Sequence, residues 1–277
     1  MKILVPMKRV ADPDNANKVK ISPDGTEVLS EGLEWKPNPF DEYAVETALR
    51  ILEQSPGGGD LRGEIVVATL GPDDCSKQIR QGLGMGANRG VIVQADDKEL
   101  DATVVARTLA KLVEKEGIDL VLMGKQAVDG DSNQVAQILA EMLGWPQATF
   151  AGHIDVPADL SSATVTREVD GGAATVTVTF PAVISVDLRI VAPTAVVNNV
   201  VPAGANYPDG PRFVALRGLK KAKKKPIDKY TLDDLGVDKT LRVRTLSFDQ
   251  PPKRQAGEMV DSVQALVDKL KNEARVL

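Results

Sequence analysis

Between Gly124 and Gln134 the chain reads Gly124-Lys125-Gln126-Ala127-Val128-Asp129-Gly130-Asp131-Ser132-Asn133-Gln134, a short run that mixes a cation, carboxylates, amides and a hydroxyl. Such groups hold an anion when backbone N–H donors join them, and the N-terminus of a helix supplies those donors. Asp131 or Ser132 is placed to cap a following helix, and Gly124 and Gly130 are expected to take positive φ. The run has no Gly-x-Gly-x-x-Gly fingerprint, and Gly124-Lys125 lacks the Ser or Thr that follows a P-loop lysine. Asp129 and Asp131 would repel a phosphate unless they turn away from it. The residues by themselves leave two readings open, an ordinary capped connection and a mononucleotide site without catalytic groups.

Elsewhere reactive side chains are few. One cysteine, Cys75, and one histidine, His153, exclude an internal disulfide and a zinc site of the Cys/His kind. Cys75 is expected to be a packed thiol near a helix start, and His153 a surface or linker residue. Hydrophobic residues at 43%, charged residues at 26% and a formal charge of −5 describe a soluble globular chain that does not bind nucleic acid generally. No apolar run approaches the roughly 20 residues of a membrane helix. Strand pattern from Lys2 onward leads to the expectation of a cytoplasmic chain without a leader.

The elements that must position the 124–134 run follow from periodicity. Asp119–Met123 before it reads as a buried strand, and Val135, Ile138, Leu139, Met142 and Leu143 after it as one stripe of a helix. Upstream, Lys2–Val5, Glu64–Leu70 and Val91–Gln94 are strands. Helices alternate with them, from Asn38 (N-cap) and Pro39, from Pro72-Asp73, and from Asp101 to Glu116 with Gly117 as stop. The alternation predicts a doubly wound α/β fold with a mostly parallel sheet. Residues 19–22 and 26–29 predict a hairpin, as do 164–168 and 174–179 about Gly171-Gly172. Pro181–Val186 is a further buried strand, Leu241–Phe248 another, and Ser262–Asn272 a closing helix. Residues 193–211, with Asn198, Asn199, Gly204 and Gly210, and the loop 55–63 are expected to be irregular. The loops after Val5, around Leu70 and at 124–134 should meet at one sheet edge.

Several motifs carry a family resemblance. Val5-Pro6-Met7-Lys8-Arg9-Val10, Asn38-Pro39-Phe40-Asp41-Glu42, the 124–134 run and Gly144-Trp145-Pro146-Gln147-Ala148-Thr149-Phe150-Ala151 resemble the β subunit of electron-transfer flavoprotein. So do Arg167-Glu168-Val169-Asp170-Gly171-Gly172, Arg212-Phe213-Val214-Ala215-Leu216 and Lys220–Lys225, in the right order over nearly the whole chain.

The resemblance implies a heterodimer whose α subunit holds the redox-active FAD, while this chain holds a structural AMP and has no catalytic residues. It carries the AMP site onto Pro6, Asn38, Pro39, Phe40, Asp41, Leu70, Gly124, Lys125, Gln126, Ala127, Val128, Asp129, Gly130, Asp131, Ser132, Asn133, Gln134 and Val135. The phosphate would then lie on a helix beginning near Ser132. Glu168 corresponds to a glutamate at the subunit interface near the flavin. Leu216 corresponds to an anchor for acyl-CoA or other flavin dehydrogenases, with a quinone oxidoreductase as acceptor and the lysine run steering acidic partners. It also divides the chain into a nucleotide-binding domain, 1–225, and an arm, 226–277, that contacts the α subunit. Two departures stand out: Pro13 or its neighbours replace a tyrosine near the flavin, and about eighteen residues, roughly Thr194 to Pro211, are inserted before the recognition segment. An electron-bifurcating relative would place a second FAD in the AMP site. A stand-alone ATP-binding or ATP-hydrolysing α/β protein is the alternative of another class.

Overall fold

A computed structural model describes residues 1–277 except 58, 203, 204, 206 and 253–255, so part of the loop 55–63 and Gly204 of the irregular stretch lie outside the described residues. In chain order the elements are β1 (Lys2–Pro6), β2 (Arg9–Ala11), β3 (Lys20–Ile21), β4 (Val28–Leu29), β5 (Trp35–Pro37), α1 (Pro39–Leu52) and β6 (Glu64–Gly71). There follow α2 (Ser76–Met85), β7 (Arg89–Gln94), α3 (Ala102–Glu116), β8 (Leu120–Gly124), α4 (Val135–Leu143), β9 (Gln147–Asp155) and β10 (Ser162–Val169). The chain closes with β11 (Gly172–Thr179), β12 (Ala182–Val186), β13 (Val196–Val197), α5 (Leu216–Ala222), β14 (Ile227–Thr231) and α6 (Val263–Asn272).

The main sheet runs β11-β10-β9-β12-β8-β1-β6-β7-β14, with β13 beside β9. From β9 to β14 its neighbours pair in parallel, and β10 and β11 extend it through the antiparallel pairings β9–β10 and β10–β11. Ile3, Leu4, Val5, Val66, Val67, Val121 and Leu122 are fully buried, because helices cover both faces of a doubly wound sheet. The expected α/β architecture is therefore present. Helix α3 starts and stops as its sequence dictates: the Asp101 carboxylate accepts from Val104 N–H, and Gly117 ends it in the left-handed region at φ 64°.

The strand order reverses at β1. From β1 the chain moves to β6 and β7 on one side, then returns to place β8 on the other. Open α/β sheets form their ligand crevice at such a switch point, beyond the carboxyl ends of the strands.

Elements differ from expectation at several places, among them Val196–Val197, a short strand beside β9 inside the stretch expected to be irregular. Gln147–Asp155 is a strand, so His153 is paired with Thr166 in a sheet and is not a linker residue. Ile227–Thr231 adds a parallel edge strand directly after the lysine run. Leu241–Phe248 forms no strand: the backbone N–H groups of Arg242 and Val243 are taken by the Asp101 carboxylate, and Leu241, Val243 and Leu246 are exposed.

The chain divides into two compact units, 1–19 with 30–244, and 20–29 with 245–277. The smaller holds the β3–β4 hairpin, where Phe248 N–H donates to the Gly25 carbonyl, and α6, capped by the Ser262 hydroxyl at Ala265 N–H. Among the described residues no helix is long and apolar enough to cross a membrane.

Candidate functional site

Strand β1 ends at Pro6, β6 at Gly71 just past the half-buried Leu70, and β8 at Gly124, and polar contacts draw the loops beyond them together. Lys8 reaches from the first loop to Asp129 in the third, Nζ–Oδ2 2.7 Å. Arg9 reaches from the first loop to Asp74 in the second, at 2.9 Å, and to Asp97 after β7, at 2.6 Å. The expected meeting of the three loops is present.

The start of α1 holds the long loop in place. Asn38 stands at the N-cap of α1, yet its side chain does not cap that helix. Its Nδ2 donates to the Gln126 carbonyl at 2.9 Å, and its Oδ1 accepts from Val128 N–H at 3.2 Å. Asp41, one turn on, accepts from Lys8 N–H at 2.8 Å and Gly124 N–H at 3.3 Å. Burial pushes this carboxyl up to about 7, against the opposing pull of its hydrogen bonds.

The glycines act differently from expectation. Neither Gly124 nor Gly130 has positive φ; Asp131 and Asn133, both at 47°, take the left-handed region instead. Short polar side chains tolerate that conformation. Gly124 is required by packing: a Cβ there would lie 2.5 Å from Phe40 Cβ and 2.5 Å from Asp41 Oδ1. Nothing lies within 4 Å of a Cβ at Gly130.

Helix α4 begins at Val135, three residues beyond Ser132, and neither Asp131 nor Ser132 caps it. Gln134 is its N-cap and makes no side-chain cap bond, which leaves the first-turn donors to other acceptors. The two carboxylates that would repel an anion are engaged, Asp129 by Lys8 and Asp131 by Gln126 Nε2 at 2.6 Å.

Lys125 bounds the crevice toward β12. Its Nζ lies 2.7 Å from Asp187 Oδ2, 5.3 Å from the Phe40 ring centre and 5.6 Å from that of Phe150. Burial raises the Asp187 carboxyl, but the hydrogen bonds from Lys125 and from Arg189 N–H, with the charges of both residues, together outweigh it and hold the group below the ordinary carboxylate range. Phe150 has φ 59° where β9 shifts register against β12, and its N–H donates to the Ser185 hydroxyl. A bulge there turns the strand beside the crevice. Lys8, Asp187 and Phe150 were not among the expected site residues. Only Lys8 had a local signal, its place directly after a first strand.

Glu168 sits on β10 over Gly152 and pairs with Arg189, whose own N–H bonds Asp187. It is thus joined to Lys125 through two intermediates. Leu216 stands apart from the crevice at the start of α5, 69% exposed, three residues after Phe213 at 92%. In the lysine run, Lys225 is not a solvated charge. Its Nζ donates to the carbonyls of Leu83 and Gly86 at the end of α2 and to that of Ala87, and burial lowers its pKa. Cys75 is fully buried, and burial pushes its thiol up to about 11, so the neighbouring helix does not activate it.

Fold and crevice define the class, a doubly wound α/β protein with a polar crevice at the switch point of its sheet. Comparison with known proteins makes the class particular. Residues 26–235 match the family model described as electron transfer flavoprotein domain. The chain is 43% identical over 277 residues, covering all of both chains, to the mitochondrial electron transfer flavoprotein subunit beta of Arabidopsis thaliana. It is 44% identical, again over all of both chains, to electron transfer flavoprotein subunit beta of Bradyrhizobium diazoefficiens, and 40% identical to that of Homo sapiens, over all of this chain and 99% of the human one. The chain belongs to the β-subunit family of electron-transfer flavoproteins, a family of electron carriers.

Proposed function

We propose that this chain pairs with an FAD-holding α subunit, holds a structural AMP in the β1/β8 crevice and docks flavin dehydrogenases through Leu216. The names of its relatives support the pairing and the flavin. The observation that carries the nucleotide is the uncapped start of α4 facing a loop whose carboxylates are already engaged. An adenine nucleotide fits that donor set: the loop, held by Asn38, offers amide and backbone groups to the base and ribose, and the α4 N-terminus offers N–H donors to the phosphate. When bound, the group supplies no chemistry of its own; it adds the free energy of a ligand held only by the folded state.

Glu168 and Arg189 would lie at the α-subunit face, and the segment 226–277 would contact that subunit as an arm. Phe213, Leu216 and the exposed lysines 220, 221, 223 and 224 would meet dehydrogenases, with a quinone oxidoreductase as later acceptor. The chain contributes binding and orientation, not catalysis. Nucleotide released from the purified heterodimer tests the assignment. One FAD and one AMP per heterodimer are expected; two FAD would make it a bifurcating relative. A stable, FAD-free monomer that hydrolyses ATP would sink the proposal altogether.

A further inference from the structure

Helix α1 buries an unusual stripe. Glu46, Arg50 and Glu53, spaced as turns of one helix face and its end, are at most 1% exposed. Arg50 uses every donor of its guanidinium: Nε to Glu46 at 2.8 Å, one terminal nitrogen to the carbonyls of Val191 and Ala192, the other to those of Pro208 and Gly210. Those carbonyls stand at the entry and exit of the stretch expected to be irregular, 193–211. A single side chain therefore closes its neck. Midway, Asn198 is buried and donates to the carbonyls of Arg50 and Glu53. Ala195, Val196 and Tyr207 are buried too, so much of the stretch is packed, not solvated.

At the exit, Arg212 bonds Glu46 at 2.7 Å and Glu53 at 2.7 Å. Val214 is buried, and a Cβ on Gly84 of α2 would lie 2.5 Å from its Cγ1. A Cβ on Gly218 would lie 2.9 Å from the Gly84 carbonyl oxygen. The two exposed apolar residues, Phe213 and Leu216, are thus flanked on both sides by fixed points. A buried ion network is poor value for stability alone, since apolar residues of like volume often do as well. It does fix a geometry. An anchor already ordered before docking loses less entropy when it binds.

We propose that Arg50 and Arg212 are positioning residues for partner docking, a clamp from α1 that presents Phe213 and Leu216 in their binding geometry. The proposal rests on the reading of Leu216 as the docking anchor. Lysine in either place keeps a charge but loses the planar fork.

The test uses the heterodimer with its α subunit, and an acyl-CoA dehydrogenase reduced by its own substrate as donor. Arg212→Lys should raise the apparent KM for the dehydrogenase about tenfold, the equivalent of ordering one or two interface side chains. FAD content, nucleotide content and reduction by dithionite should stay at parental values. Amide hydrogens of 213–222 should exchange faster in the variant. Combined with Leu216→Ala, Arg212→Lys should add less than it costs alone, because one of the two residues it positions is gone. Arg50→Lys should act in the same way; if it fails to assemble, the partly exposed Arg212 still decides. A slowed Leu216→Ala beside an Arg212→Lys of parental KM and exchange overturns the clamp alone, as do losses that multiply in the double variant. An undiminished Leu216→Ala overturns the docking reading and the clamp with it.

Discussion

Helix α1 buries a carboxylate at each of two places, and the two are held in opposite ways. Asp41, in the first turn, has backbone N–H donors and no guanidinium, and burial wins: the group is pushed up to about 7. Glu46, five residues on, is as deeply buried, yet the hydrogen bonds and charges of Arg212 and then Arg50 outweigh burial and hold it below its ordinary value. The same helix therefore offers a protonatable contact to the crevice and an ion-paired one to the segment around Arg212. Desolvation penalises both charged forms; the two guanidiniums offset it at Glu46, and the backbone donors do not offset it at Asp41.

The contrast can be broken most severely at the ionic end. Glu46→Ala leaves two guanidiniums without their shared carboxylate and should cost about 3–5 kcal/mol, the range for a broken buried pair. Urea unfolding of the heterodimer at fixed concentration would read it, and a midpoint unchanged from the parent would mean the network is idle. At the crevice end, Gly124→Val should cost about 1–3 kcal/mol by overpacking against Phe40 and Asp41. A melting temperature equal to the parent's would show that the loop moves freely off α1.

Stability against pH sharpens the comparison. The raised Asp41 contributes stability that is full below its unfolded value of 3.8 and is lost as pH rises through about 7. The lowered Glu46 contributes stability present above 4.5 and lost as pH falls through its lower folded value. Asp41→Asn should thus flatten the decline between those first two pH values, whereas Glu46→Gln should flatten the loss on acidification. Identical profiles for the two variants would count against the distinction. The smallest effect belongs to Gly130→Ala, within about 0.5 kcal/mol, because no atom stands near the new Cβ and φ is not positive.

The alternating core was legible because apolar stripes marked its helices and punctuation bounded α3, with Asp101 at its start and Gly117 at its end. The crevice was legible as three loops, but its geometry was not. Gly124 looked like a turn glycine, and only the approach of Phe40 from a distant helix gives it a packing reason. Asn38 looked like a cap, since its partners lie nearly ninety residues away at Gln126 and Val128. Strand β9 was hidden by Gly152 and the register shift at Phe150, which break the two-residue period. Strand β14 was hidden by its charges, Asp228 and Lys229, which an exposed edge tolerates. The clamp was least visible. The Glu46–Arg50 spacing signals a surface helix pair, and nothing local says that both ends of a later segment will bury it.

The central claim is that the β1/β8 crevice holds AMP and that the loop packed on α1 shapes it. Nucleotides released by denaturing the purified heterodimer, identified by mass and quantified against protein, test it directly. The account predicts one AMP and one FAD per parental heterodimer, and a Gly124→Val heterodimer that keeps its FAD but loses most of its AMP. A parental heterodimer without AMP, or a Gly124→Val heterodimer that retains it in full, would contradict the account.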